Sequence, residues 1–361
     1  MTVGTLFTED FLAEGIRESA AWKDLGDTEV AALRDQISAV FRKVANATTL
    51  NEAQTQHSII DPILHALGWA GAYNVQTNLD TKGRANVPDY SFFASSEAFE
   101  KADRAHTFDA KLKHAVAVGD AKQWSIGLDQ SGGGAGLGET PASQMIRYLT
   151  RAETNSDRAV RWGILTNGRQ WRLYFTGSRS LLDGYFEADL AWMMGITGTQ
   201  GELTTATATD GESEAERRDR HFRTFLLFFR RAAFTPSARH GGHTFPEFAF
   251  NEGRLWETKV RTDLSRVVFD HVFPGLIRGL ASTDPDAPKP LTATYLNRVR
   301  EAALTKLYRL LFALYAEDRE LLPTRDSKFD DYALSKIRDD VAARLDREDA
   351  MTNRSTRYWD R

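Results

Sequence analysis

The sequence predicts an α/β fold: a mixed sheet covered by helices, followed by a mostly α-helical domain. Three observations predict it. Apolar residues recur at helical spacing between residues 27 and 68, short strand-like runs bracket one helix between residues 90 and 176, and the texture beyond residue 215 is helical.

Taken in order, residues 1–26 read as an N-terminal extension. Val30, Leu33, Ile37 and Val40 then mark one face of a first helix. A second helix follows, with Asn51 or Thr49 as its cap, a stripe of Ile59, Ile60, Ile63, Leu64 and Leu67, and Gly68 as its stop. Glu52 and Gln56 fall one turn apart near its start. The runs "YSFFA", "HAVAVGDA", "WGILTNG" and "QWRLYFT" are strands by length and composition. Asn167-Gly168 supplies a hairpin turn between the last two, and "PASQMIRYLTRAE" is a helix with Pro141 in its first turn. These elements fill a domain over 27–196. Residues 197–214, rich in Thr, Gly and acid, form a linker, and 215–361 form a helical domain. Within it, "LYRLLFALYAEDRELLP" is too densely apolar for a surface helix and is expected in that domain's core, with its acidic end structural.

Bulk composition narrows the classes. The formal net charge of −4 over 361 residues gives no global signal for a polyanion partner, so a nucleic-acid site must be a local surface. The chain has no cysteine, which excludes disulfides and thiolate-bound zinc. No apolar run approaches the roughly 18 residues that span a bilayer, and the acidic N-terminal stretch is unlike a signal peptide. A soluble cytoplasmic protein with no membrane partner is expected.

The chemistry concentrates in two places. In "VPDYSFFASS" an acid, Asp89, stands where a buried strand begins. In "AVAVGDAKQW" a strand-like run ends on Asp120, with Lys122 two residues on and so on the same side of the strand. Converging carboxylates suit a hard cation such as Mg²⁺. A lysine beside it can hold an attacking water and stabilise charge growing on a phosphate.

Pro88-Asp89 followed by Asp120-Ala121-Lys122 resembles the PD-(D/E)xK nuclease core, with aspartate in place of the commoner glutamate. The resemblance implies that Asp89, Asp120 and the carbonyl of Ala121 bind Mg²⁺, for which Mn²⁺ would substitute, and that Lys122 positions the water. It implies that Glu52, on the preceding helix, completes or supports the metal site. Gln144 and Tyr148 of "QMIRY" match the family's QxxxY and, with Gln123, would support the site or the DNA strand. Five ordered blocks spread over roughly residues 45–325 narrow the resemblance to the N-terminal part of type IIG restriction-modification and related phage-defence enzymes. There a nuclease domain and helical connector precede an adenine methyltransferase. This chain has neither the Asn-Pro-Pro-aromatic tetrapeptide nor a glycine-rich S-adenosylmethionine loop, so the resemblance implies a separate or missing methyltransferase and no S-adenosylmethionine site here.

Each residue alone has a plain structural explanation: Asp89 a strand cap, Asp120 and Lys122 a solvated strand end, Glu52 an acid favoured by the helix dipole. Joint occurrence in order favours the nuclease. The alternative is a catalytically silent DNA-binding or assembly module on the same fold, and an RNA-directed nuclease has no distinguishing motif. The glycine-dense tract "GLDQSGGGAGLGETPASQ" lacks the GK[ST] ending of a phosphate loop and reads as a mobile loop beside the site, one that would close on DNA. His57 and His65, eight apart on one helix, lack the spacing of a ligand pair. The arginines of "ERRDRHFRTFLLFFRR" could meet phosphates but suit an ordinary amphipathic helix better.

Overall fold

The computed structural model describes residues 2–44, 50–75, 87–130, 139–196, 213–318, 321–322, 329 and 333–347. Thr49, most of the expected linker and residues 131–138 of the glycine-dense tract lie outside them. By its internal contacts the chain divides into two compact units, Met1–Thr258 and Lys259–Arg361.

The first unit is built on a seven-stranded mixed sheet. Its strands are β1 (Thr2–Val3), β2 (Tyr73–Val75), β3 (Tyr90–Phe92), β4 (Ala117–Ala121), β5 (Trp162–Thr166), β6 (Gln170–Phe175) and β7 (Tyr185–Asp189), in the order β1-β7-β6-β5-β4-β3-β2. Only β4 and β5 run parallel; every other pairing is antiparallel. The parallel pair needs a crossover, and the expected helix over Pro141–Asn155 supplies it. Its first turn is fixed by a capping box between Thr140 and Ser143.

Side-chain alternation along the strands divides the core between two faces. One face carries Tyr90, Phe92, Ala117, Trp162, Ile164, Trp171 and Leu173. Helix α1 (Asp27–Val44) and helix α2, wound as Glu52–Thr55, a π-turn over Gln56–Ile60, and Asp61–Ala66, pack there. The other carries Phe93, Val118, Leu165 and Tyr174 under the crossover helix. Asn51 caps α2, its Oδ1 accepting the Gln54 N–H at 2.8 Å. Gly68 ends that helix at φ +83°. Gly168 takes the positive φ of +84° expected of the β5–β6 turn. It also has no room for a side chain, since a Cβ there would sit 2.9 Å from Ile59 of α2.

The sheet extends further than the sequence indicates. The N-terminal residues are integral to the unit: β1 pairs along β7, Thr2 opposite Ala188, and Phe7 stacks on Phe228 with ring centroids 4.4 Å apart. Helix Glu214–Phe229, expected to open the second domain, belongs to the first unit. Its Phe225 and Phe229 meet Trp171 edge-on, each at 5.8 Å, and the Phe229 carbonyl accepts the indole N–H of Trp69. Its arginines are engaged within the protein: Arg218 with Glu214, Arg223 with Asp219 and Asp27, and Arg217 over Trp192.

In the second unit, helix Ala293–Asp318 buries a single stripe of Tyr295, Val299, Ala303 and Leu307. The stretch expected in the core is therefore only half covered: Tyr308 and Phe312 are 66% and 71% exposed. A helix with neighbours on one side buries one stripe, however apolar its remainder. The acidic end is structural as expected, because Glu317 accepts the backbone N–H groups of Leu334 and Ser335 that open helix Leu334–Asp346. Among the described residues no helix is long and apolar enough to cross a membrane.

Candidate functional site

Register brings the two acids together. Tyr90 stands opposite Gly119, so continuing the antiparallel pairing by one residue sets Asp89 opposite Asp120. The contact is direct: Asp89 Oδ2 accepts the N–H of Ala121 at 2.8 Å. Lys122 lies just past β4 on the same side as Asp120, its Nζ 2.5 Å from Asp120 Oδ2. Its backbone N–H continues the parallel ladder to Thr166 O at 2.8 Å, which fixes the lysine at the carboxyl end of the parallel pair. Binding sites of open α/β sheets gather at such ends.

Burial gives this cluster its character. Asp120 is 2% exposed as a side chain and Lys122 13%. Although the ammonium is close, its approach is poorly aligned, and Asp120 Oδ2 has no donor of hydrogen-bond geometry. Burial first, then the Asp89 carboxylate, push the Asp120 carboxyl well above the usual carboxylate range, against the pull of Lys122. Burial would lower the Lys122 ammonium, but Asp120, Asp89 and Glu52 together outweigh it and hold it raised. Burial also raises Glu52, which feels Lys122 and Asp89 in turn. Among the described residues three carboxyl groups thus share one ammonium.

The other sequence-singled residues are placed as follows. Glu52 opens α2, capped by Asn51, and lies within the field of Lys122 and Asp89. Gln144 and Tyr148 are joined on the crossover helix by a 2.8 Å bond from Gln144 Nε2 to the tyrosine hydroxyl. Burial raises that hydroxyl, Asp120 adds to the effect, and the Gln144 hydrogen bond opposes it. Ala121 contributes its N–H to Asp89. Gln123 is half-buried, and its carbonyl accepts the Ile126 N–H in a turn. That turn is tied down by Thr55 Oγ1, which accepts the Trp124 N–H, and by Asn167 Nδ2, which donates to Ile126 O. His65 is bonded to the Tyr73 hydroxyl at 3.1 Å.

The donor set is made of hard oxygens, and the buried Asp120 Oδ2 at its centre is paired with Lys122 but has no aligned hydrogen-bond donor; both fit a hard divalent cation. Among the described residues no three His, Cys, Asp or Glu side chains form a metal-holding group by themselves. Mg²⁺ is commonly held by one or two carboxylates, with the remaining positions left to water and phosphate oxygens.

A second charged cluster escapes sequence reasoning. Arg172, 3% exposed, gives both guanidinium arms to Asp129 at 2.7 and 2.9 Å and its Nε to Glu187 at 2.7 Å. Its guanidinium also lies 3.9 Å from the centre of the Tyr185 ring. The signal was an arginine inside the apolar strand "QWRLYF" beside a glutamate inside "YFEAD", visible as a pair only once the two strands are known to be neighbours.

No protein-family model matches the chain, and no curated protein or solved structure matches it significantly.

Proposed function

We propose that the chain is a Mg²⁺-dependent DNA endonuclease module of a restriction-modification or phage-defence system, built on a PD-(D/E)xK-type fold. The observation that carries this reading is the opposition of Asp89 and Asp120 across the β3–β4 register, with Lys122 against Asp120 and Glu52 in the same field. A binding module has no use for three carboxyls and one ammonium in a half-buried cluster that repels polyanions.

Asp89, Asp120 and the Ala121 carbonyl would hold the cation, with Glu52 supporting them. A bound Mg²⁺ supplies Lewis acidity toward a phosphate oxygen and toward water. Lys122, held at the strand end by its backbone bond to Thr166, orients the attacking water and offsets charge building on the phosphate. Tyr148 and Gln144, bonded to each other, line the side of the site nearest Asp120 and support the nucleic-acid strand. The mostly helical second unit would act as a connector to a methyltransferase domain or subunit.

The test is cleavage of supercoiled plasmid by the full chain with Mg²⁺ or Mn²⁺, beside Lys122→Ala and Asp120→Ala. Metal-dependent nicking that Asp120→Ala abolishes and Lys122→Ala lowers by about 10²–10³-fold supports the reading. Cleavage that survives both overturns the assignment of these residues. A chain that binds DNA but cuts with neither metal is the silent module instead.

A further inference from the structure

Glu52 shares the neighbourhood of Asp89 because of how its helix is wound. In an α-helix, positions four apart lie nearly above one another, so Glu52 and Gln56 share a face. The next residue on that face would be Ile60. Instead the chain makes a π-turn over Gln56–Ile60, where the N–H of Asp61 reaches back five residues to the Gln56 carbonyl. The wider turn carries Ile60 into the core and brings Asp61 beneath Gln56. Both then meet one hydroxyl. Tyr90, 1% exposed, donates to Asp61 Oδ1 at 2.9 Å, and Gln56 lies close enough to bear on the same hydroxyl. Tyr90 directly follows Asp89 in the chain. The ring of Tyr73 closes the cluster edge-on, 5.6 Å from that of Tyr90.

We propose that Tyr90, held by Asp61 just beyond the π-turn, is a positioning residue that sets Glu52 against Asp89 and thereby sets how tightly the site holds a divalent cation. The inference rests on the reading above that these acids hold a cation. The helix bearing one acid and the strand bearing the other are joined through a buried hydroxyl one residue from Asp89. The unused winding alternative, a plain α-helix, would turn Glu52 by about 100°, one residue's rotation. π-turns inside α-helices cost hydrogen-bond geometry and recur where a side chain must be re-aimed. Residues that orient metal ligands typically change metal affinity by about 10–100-fold when altered.

The experiment is calorimetric titration of Mn²⁺ into the full chain, the Tyr90→Phe and Glu52→Gln variants, and a variant lacking Ser58. Ser58 lies exposed within the π-turn, and removing one residue there is expected to return the segment to α-winding. Thermal melts of each are run alongside, and cleavage is followed against Mg²⁺ concentration. Tyr90→Phe is expected to need about tenfold more metal in both assays. The chain lacking Ser58 is expected to match Glu52→Gln although it retains every acid. A Tyr90→Phe variant that melts lower but binds Mn²⁺ as the unaltered chain does would overturn the proposal, leaving Tyr90 a purely structural bond. So would a chain lacking Ser58 with unchanged metal response. If the unaltered chain binds Mn²⁺ yet never cuts DNA, the endonuclease reading fails and the calorimetry still decides the role of Tyr90. If it binds no Mn²⁺, both fall.

Discussion

Asp120 and Arg172 stand on the same face of the sheet at the same level, separated by Leu165: Asp120 pairs with Leu165, Leu165 with Arg172, and Arg172 with Glu187. Both charges are almost wholly buried, yet their surroundings differ in kind. Around Arg172 the account closes. Both oxygens of Asp129 take guanidinium bonds, and Glu187 takes one from Arg172 and one from Gln170 at 3.0 Å. Around Asp120 it stays open among the described residues, with one oxygen lacking an aligned donor and three carboxyls facing one ammonium. An ion cluster about a buried arginine with every carboxylate oxygen engaged is a fastening, and it ties the loop that begins at Lys122 to the far strands. A cluster short of cations invites one.

That contrast can be broken at either end. The largest effect is expected at the closed end. Arg172→Ala strands Glu187 beneath the sheet face and should cost about 3–5 kcal/mol, the usual consequence of removing one partner from a buried charge cluster; urea denaturation measures it. An Arg172→Ala chain as stable as the unaltered one would mean that the cluster fastens nothing.

At the open end the same kind of change should act on chemistry. Lys122→Ala is expected to lower the cleavage rate by about 10²–10³-fold, the range for losing one preorganised charge donor. The fold should survive, because Asp120 can take up a proton in place of the lost ammonium. Plasmid nicking and circular dichroism on the same preparation separate the two outcomes.

Asp120→Asn should abolish cleavage while stabilising the metal-free chain by about 1 kcal/mol, the scale of one unsatisfied buried acceptor. The pH dependence sharpens this. Below about pH 4 the Asp120 carboxyl is protonated whether the chain is folded or not. Above that, the unfolded chain releases the proton while the folded chain keeps it, because its carboxyl is raised. The folded state then binds more protons, so stability falls as pH rises from about 4 through the raised folded value, and levels off beyond it. Glu52 adds the same sign. In chelator the unaltered chain should therefore lose stability over that window, Asp120→Asn should lose less, and Mg²⁺ should restore the loss. Melting curves across pH, with and without Mg²⁺, test all three.

The smallest effect concerns the scaffold between the clusters. Gly168→Ala places a Cβ 2.9 Å from Ile59 at a φ of +84°, and should cost about 1–2 kcal/mol without altering metal dependence. A shifted metal requirement would show that the β5–β6 turn also helps to set the position of α2.

By itself the sequence determined what local chemistry dictates. Alternation and turn residues predicted β3 to β6 and the helix between them, apolar spacing predicted α1 and α2, and the Asn51 cap and Gly68 stop follow from the needs of unpaired backbone groups at helix ends. Asp89, Asp120 and Lys122 stood out because acids and a lysine at the ends of apolar runs break the pattern that burial requires. Tertiary structure decided everything that depends on which segments become neighbours. The two-residue strand β1 is too short to carry a period and exists only because β7 offers an edge. The phenylalanines of Glu214–Phe229 signal a buried face without saying which core receives it, and the sheet of the first unit does. Nothing in "QTQHSII" announces a π-turn, since winding is chosen by the contacts on either side of it. The oddly placed Arg172 and Glu187 become one satisfied cluster only when the sheet sets their strands side by side. Pairing across long sequence separation gains its energy from contacts, and contacts are what a one-dimensional pattern cannot specify.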